Sequence, residues 1–194
     1  MARQSAEQRK EMIIESVLAL FREKGMSATS TRDIAERTGL ARSHIYHYFK
    51  DWKELSIYAV ERFIYKEIDD LRNWLLPLPA SEALSLFVRD NLPTSQDASW
   101  AIYLDAWSAS LHDPVFAASY RKIILAWCEV LELILQKGID SGEFRPGDVQ
   151  QMARQITSLI NGYADDLILD ATPDKLDVTF KEIMLVVNRL VLNV

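Results

Sequence analysis

The chain has 194 residues, 49% of them hydrophobic, and a formal net charge of −6 at pH 7. Its single cysteine, Cys128, excludes an internal disulfide and a multi-cysteine zinc site, and no apolar run is long enough to predict a membrane span. The polar start MARQSAEQRKEM lacks the apolar middle of a signal peptide, so we expect a cytoplasmic protein without membrane contact.

The net charge is distributed unevenly along the chain. Residues 1–50 carry nine basic and six acidic side chains, a formal +3, whereas the remainder carries 13 and 22, a formal −9. A basic N-terminal region on an otherwise acidic protein indicates contact with nucleic acid at that end.

Three helices are predicted at the N-terminus, a longer one followed by two short ones. The first carries apolar residues at helical spacing and ends at Gly25. The second is TRDIAERT, with Ser30 or Thr31 as its N-terminal cap and Gly39 at the left-handed C-terminal position. The third is ARSHIYHYF, in which Ile45 and Phe49 share one face.

The remainder of the chain also predicts helices. A long one follows at 51–74, and Pro77 and Pro79 then mark the clearest break. Further helices are predicted near 80–92, 95–112, 114–140, 147–170 and 173–192. We therefore predict an all-α protein of about nine helices: a helix-turn-helix DNA-binding domain (1–50) and a helical bundle for effector binding and dimerisation (51–194), with 51–76 as connecting helix.

Two short helices joined at a glycine, after a longer amphipathic one, form a helix-turn-helix unit. Its last helix is the recognition helix, which lies in the major groove of DNA. Ile45 and Phe49 anchor this helix, which leaves side chains able to contact phosphates and bases facing outward. The predicted DNA contacts are Thr31, Arg32, Arg42, Ser43, His44, Tyr46, His47, Tyr48 and Lys53.

The segment TRDIAERTGLARSHIYHYFKDWKEL resembles the DNA-binding signature of the TetR family of one-component bacterial regulators. The resemblance covers about residues 8–60 and implies that Thr31, Arg42, Tyr46, His47 and Tyr48 touch DNA. Two positions depart from the family pattern. Ser43 stands where a glycine is common, and Trp52 stands where a lysine is usual, so Lys53 or Lys50 is expected to supply that phosphate contact.

The C-terminal part is predicted to hold a small effector. Trp100, Tyr103 and Trp107 share a helix face, and carboxylates lie near the aromatic residues in sequence. The predicted effector-binding residues are Trp100, Tyr103, Asp105, Trp107, Trp127 and Tyr163. Aromatic faces with carboxylates bind organic cations, and WAIYLDAWSASLHDP and GIDSGEFRPGD loosely resemble the choline-responsive, betaine-pathway subgroup of the family. An amine or quaternary ammonium compound is one candidate effector, and the alternative for these aromatic residues is that they fill the helical core.

The last two helices are the expected dimer surface. The segment VTFKEIMLVVNRLVLNV has more apolar side chains than one chain readily buries. A two-fold homodimer also suits a palindromic double-stranded operator, because paired recognition helices read repeated half-sites.

Together these features predict a ligand-responsive DNA-binding transcriptional regulator, a repressor that a small-molecule effector releases from its operator. A metal site at His44 and His47 lacks a third ligand in the helix, and we expect no metal or cofactor. An enzyme is not expected, because no phosphate loop or nucleophile motif is present and His112–Asp113 is an isolated pair at a helix end. A DNA-binding regulator or architectural protein without an effector stays open as the alternative.

Overall fold

The computed structural model describes residues 5–94 and 99–192. Within these residues the chain forms nine α-helices and no strand, which confirms the all-α prediction. Their bounds are α1 Ala6–Lys24, α2 Thr31–Thr38, α3 Arg42–Tyr48, α4 Trp52–Leu75, α5 Ala80–Asp90, α6 Ser99–Ser110, α7 Pro114–Asp140, α8 Val149–Leu169 and α9 Pro173–Val191.

The helix ends follow the residues that predicted them. Gly25 and Gly39 end α1 and α2 with φ of 84° and 69°, a backbone region that favours glycine. Pro114 and Pro173 begin α7 and α9, where the missing N–H costs no helical hydrogen bond. The predicted helix 95–112 is found as α6, although positions 95–98 lie outside the described residues. No helix in the described ranges is long and apolar enough to cross a membrane.

The chain divides into two compact units, and α4 and α7 each contribute residues to both. The first unit comprises Met1–Tyr65 and Ala98–Ile123. In it, α1 packs on α2 and α6, and α2 packs on α3. Its core includes fully buried aliphatic and aromatic side chains from five helices: Ile13, Ile14, Phe21, Ile34, Ile45, Leu55, Ile64 and Ile102.

The second unit comprises Lys66–Asp97 and Ile124–Val194. In it, α8 packs on α9, and α9 packs on α5. Two side chains hold the connection from α4 to α5: Lys137 in the last turn of α7, and Glu143 just after that helix. The Lys137 ammonium donates to the carbonyl oxygens of Leu76 and Leu78 at 2.7 and 2.6 Å, and the Glu143 carboxylate accepts from the first N–H groups of α5. These contacts satisfy helix-end groups that would otherwise lack partners.

Candidate DNA interface and effector region

Helix α2 is fixed at both ends by local contacts. Of the two predicted caps the structure selects Ser30, whose hydroxyl accepts from the Asp33 N–H while the Asp33 carboxylate accepts from the Ser30 N–H at 2.8 Å. The Lys24 ammonium, 2.6 Å from that carboxylate, and the Ser30 hydroxyl hold the pKa of Asp33 well below its usual range. Gly39 then turns the chain into α3.

Helix α3 has one buried side and one exposed side. Ile45 is fully buried, and Phe49, immediately after the helix, is 3% exposed. The predicted base-reading side chains at Arg42, Ser43, His44, Tyr46 and His47 are all exposed, and Tyr48 is half-buried with its ring edge against His47. A short helix anchored by two apolar residues therefore presents a polar face to solvent.

Thr31 and Tyr46 connect α2 to this polar face. The Thr31 side chain is only 6% exposed, and its hydroxyl lies 3.4 Å from the donating Tyr46 hydroxyl. Tyr46 itself is 42% exposed. The arrangement orients the Tyr46 ring from the start of α2.

Most basic side chains near α3 are paired with acids of the protein itself. Arg32 bonds Glu36 at 2.9 Å, and Arg37 forms a two-oxygen contact with Glu23 at 2.6 and 2.7 Å. Lys53 lies 2.5 Å from Asp113, and each of these two groups shifts the pKa of the other: that of Asp113 is lowered and that of Lys53 is raised. Among the described residues, Arg42 and Lys50 take part in no ion pair that the structure records.

Trp52 has a structural role that the sequence did not reveal. Its ring packs edge-on against Phe21 of α1, with centroids 6.0 Å apart and planes at 88°. The side chain is half-buried, so the position often held by a lysine in the family here fastens α4 to α1. Position 43 is exposed on α3 and nothing in the structure distinguishes its serine from a glycine.

The predicted effector residues of α6 lie in the first unit together with an aromatic residue that the sequence analysis did not select. Tyr103 packs against Phe63 at 6.1 Å between ring centroids and against Trp100 at 5.8 Å. The Arg22 guanidinium lies over the Phe63 ring at 5.0 Å. Trp107, farther along α6, is 53% exposed. The predicted helix 51–74 contains Phe63, but its contacts with Tyr103 of α6 and Arg22 of α1 could not be predicted without the three-dimensional structure.

Asp105 connects α6 to the helix-turn-helix. Its Oδ2 accepts a hydrogen bond from the Met26 N–H at 2.6 Å, in the turn between α1 and α2. A Cβ at neighbouring Gly25 would lie 3.3 Å from the same oxygen. An effector that uses this carboxylate would therefore share it with the turn.

The other two predicted effector residues belong to the second unit. Trp127 is half-buried and packs against Phe87 with ring centroids 6.5 Å apart. The Glu182 carboxylate of α9 is the main cause of the raised pKa of Tyr163 in α8. An open groove of about 520 Å³ in the same unit is lined by Trp74, Leu86, Arg89, Asp90, Leu92, Thr94 and Leu176, none of which was predicted.

Helices α8 and α9 expose apolar side chains as well as burying them. On α9, Ile183, Val187 and Val191 are buried, whereas Val178 and Leu185 are 55% and 57% exposed. Position 162 of α8 is an exposed glycine, and a Cβ added there would meet open space. Exposed apolar side chains are compatible with the predicted interface when they form one contiguous patch.

Comparison with known proteins agrees with both halves of this description. Residues 13–57 match the model of bacterial regulatory proteins of the tetR family, and residues 80–182 match the model of the BetI-type transcriptional repressor, C-terminal. The HTH-type transcriptional regulator YfiR of Bacillus subtilis (strain 168) is 26% identical over 154 residues, which are 76% of this chain and 72% of YfiR.

A second relative and a solved structure extend the comparison. The HTH-type transcriptional regulator BetI of Klebsiella pneumoniae (strain 342) is 34% identical over 113 residues, 55% of this chain and 57% of BetI, so the match spans little more than half of that relative. A crystal structure of a transcriptional regulator from Saccharomonospora viridis in complex with choline has a TM-score of 0.84, with 20% identity over 97% of this chain and 100% of that one. These findings agree with the resemblance found in the sequence: the chain belongs to the TetR family of bacterial transcriptional regulators and carries a BetI-type C-terminal domain.

Proposed function

We propose that this regulator is a homodimeric repressor that binds a palindromic operator in the bacterial cytoplasm and leaves it when a small organic cation binds. The observation that carries the DNA-binding half is the polar face of α3. Arg42, Ser43, His44, Tyr46 and His47 are exposed around an anchor of two buried apolar residues. This is the arrangement that a recognition helix needs in order to reach base edges in the major groove.

The effector half is supported by the aromatic residues of the first unit. The Tyr103 ring packs against the rings of both Phe63 and Trp100. Asp105 supplies a carboxylate on α6, the helix that also carries Trp100 and Tyr103. Aromatic faces beside a carboxylate suit an amine or a quaternary ammonium group. The similar regulator from Saccharomonospora viridis, solved in complex with choline, supports the same ligand class. Trp107, Trp127 and Tyr163 stay predictions of effector contacts.

The Asp105–Met26 hydrogen bond supplies a route from effector to DNA. Because α6 holds the α1–α2 turn through this bond, a displacement of α6 acts on the helix-turn-helix directly. The operator favours one arrangement of the recognition helices and the effector favours another, so each ligand weakens the binding of its competitor.

Dimerisation through α8 and α9 is supported by their exposed apolar side chains. A second copy covers such a surface in an isologous interface, in which the same patch is used twice. Two recognition helices related by a two-fold axis then match the two halves of a palindrome.

The test starts from operator fragments selected in vitro from a random library. Fluorescence anisotropy at 0.15 M salt then compares the wild type with Arg42→Ala and Tyr46→Ala, and Arg121→Ala, an exposed arginine of α7, is the matched control. We expect each α3 variant to bind about tenfold or more weakly, as loss of a base contact costs about 1–3 kcal/mol. Unchanged affinity in both would overturn the assignment of α3.

The effector half is tested separately with choline and simpler tetraalkylammonium salts. We expect these compounds to release the wild type from the selected operator and to act weakly on Trp100→Ala and Tyr103→Ala. Release of the wild type by none of the cations, with operator binding intact, would refute the ligand class and leave the DNA-binding half standing.

A further inference from the structure

The surface around α3 has no net permanent charge. Residues 30–54 carry five basic and four acidic side chains, and Lys24, Glu23 and Asp113 pair with three of them. With these partners included, the set holds six charges of each sign. Nonspecific and much of specific DNA affinity comes from protein charge that replaces counterions on the phosphates. Such a balanced surface gains little from that source.

The positive and negative charges are also balanced locally, because most of them lie in ion pairs or hydrogen bonds with near neighbours. On α2, Arg32 and Arg37 are paired with Glu36 and Glu23, and Asp33 is paired with Lys24 of α1. At the start of α4, Lys53 is paired with Asp113, while the carboxylates of Asp51 and Glu54 accept from backbone N–H groups at 2.8 and 2.5 Å. Arg42 and Lys50 are the remaining cations of the set, and their two charges equal in number those of the Asp51 and Glu54 carboxylates. Lys10 of α1, which is not part of this set, lies over the rings of Tyr58 and Phe49.

His44 and His47 are the groups that can change this balance. Both are exposed on α3, three residues apart, and α3 carries no acidic residue. In the described part of the chain the only contact recorded for either ring is the Tyr48 edge against His47. Histidine is the side chain that changes charge between about pH 5 and 8. Protonation of both rings would give the surface a net charge of about +2 beside the DNA phosphates.

We propose that His44 and His47 are the conditional charges of this DNA interface, so that operator affinity rises as the pH falls from 8 to 6. The inference rests on the proposed DNA-binding role of α3. A neutral imidazole offers the DNA one donor and one acceptor, whereas a charged imidazole offers two donors and displaces counterions. DNA favours the charged form, so binding takes up protons, and the gain is present at low pH and lost as the pH rises.

The test measures operator affinity at pH 6 and pH 8 at fixed 0.15 M salt, with a fragment selected in vitro at pH 7. Complete proton uptake by one imidazole of ordinary pKa, about 6.5, contributes up to about 25-fold over this interval, and partial uptake contributes less. We expect the wild type to bind at least about fourfold more tightly at pH 6, and its salt dependence to steepen by about one unit of log–log slope per protonated contact.

Variants assign the effect to the two rings. We expect H44Q/H47Q to lose the pH dependence while keeping its fold, which thermal unfolding at both pH values checks. The matched control is H112Q, because His112 is the third histidine, is exposed, and lies outside α3; it is expected to keep the full effect. Isothermal titration calorimetry in two buffers of different ionisation enthalpy gives proton uptake directly, and is expected in the wild type and absent in the double variant.

The outcomes separate this inference from the proposed function. Specific binding at pH 8 without a change at pH 6, or without proton uptake at pH 7, overturns the inference alone. Full pH dependence in H44Q/H47Q overturns it as well. Absence of sequence-specific binding at either pH refutes the DNA-binding function on which it rests.

Discussion

The carboxylate of Asp105 accepts the Met26 N–H at 2.6 Å across 79 residues of sequence. The turn that it holds leads directly from α1 into α2 and contains Gly25, whose φ of 84° leaves little freedom for substitution. One side chain of α6 thus determines how firmly the entrance of the helix-turn-helix is fixed.

Two substitutions at Asp105 are expected to separate its two proposed tasks. Asp105→Asn keeps an oxygen that accepts from Met26 and removes the negative charge, so operator binding should persist while the response to a cationic effector falls by about tenfold. Asp105→Ala removes the acceptor as well, which costs about 1–3 kcal/mol of stability and weakens operator binding. Anisotropy and thermal unfolding measure both effects. Equal operator binding and equal stability in the two variants would contradict the separation of these two tasks.

At the residue scale, the sequence predicted side-chain types better than partners. The exposed face of α3 followed from the spacing of Ile45 and Phe49, because helical periodicity determines which residues share a side. The contacts of Trp52 with Phe21 and of Asp105 with Met26 depend on how separate helices pack, which no local pattern encodes. Asp105 was predicted to meet an effector, and its bond to the turn was not foreseen.

At the element scale, α5 shows how a helix can be capped by a distant residue. Its N-cap position is Pro79, which offers no side-chain acceptor, and the Glu143 carboxylate accepts from the Ala80 and Ser81 N–H groups instead, at 3.1 and 2.9 Å. Chiefly because of the Ser81 N–H and hydroxyl and the Ala80 N–H, the pKa of Glu143 falls from 4.5 to about 2. Proline at 79 was recognised as a break in sequence, but the replacement cap was not.

This lowered pKa predicts a pH-dependent contribution to stability. A carboxyl whose folded pKa is depressed stabilises the fold above its ordinary pKa and loses that contribution as the pH falls toward the folded value. We expect Glu143→Gln to unfold at a lower temperature than the wild type at pH 7, and the difference to shrink between pH 4.5 and about 2. Glu15→Gln, an exposed acid of α1, is the control. A difference that stays constant over this range would exclude the charged cap.

The exposed apolar face of α9 gives a second prediction at this scale. Val178 and Leu185 are seven residues apart, hence on one side of the helix, and each is more than half exposed. We expect Val178→Glu/Leu185→Glu to convert a dimer to monomer in sedimentation velocity, because the charges would be buried in the interface. Val115→Glu, at an equally exposed valine of α7, should leave the dimer intact. Dimers in all variants would place the interface elsewhere.

At the scale of the whole molecule, the two halves of the proposed function are thermodynamically linked. If the effector weakens operator binding by some factor, the operator weakens effector binding by the same factor, and such factors are commonly about 5 to 150. Titrating DNA with and without effector, and effector with and without DNA, measures both. An effector that binds tightly yet leaves operator affinity unchanged would contradict a ligand-responsive repressor.

The all-α fold and the positions of its helices could be predicted from the sequence, because glycines, prolines and apolar spacing mark each helix in chain order. The same sequence signals do not predict how the helices group into two compact units. Contacts group α6 and the first part of α7 with the N-terminal helices, although the sequence places them after the break at Pro77 and Pro79. Packing between distant segments, such as Tyr103 on Phe63, decides that grouping.

The balance of charges around α3 has a consequence for how the regulator is shared among the sites of a chromosome. A genome offers about a million or more nonspecific sites, and a strongly basic surface is held by them through phosphates alone. Pairing Arg32, Arg37 and Lys53 with the protein's own acids keeps this background attraction low. If α3 binds an operator as proposed, a small number of molecules per cell can then remain available for it, and hydrogen bonds from α3 rather than bulk charge decide how long they stay bound.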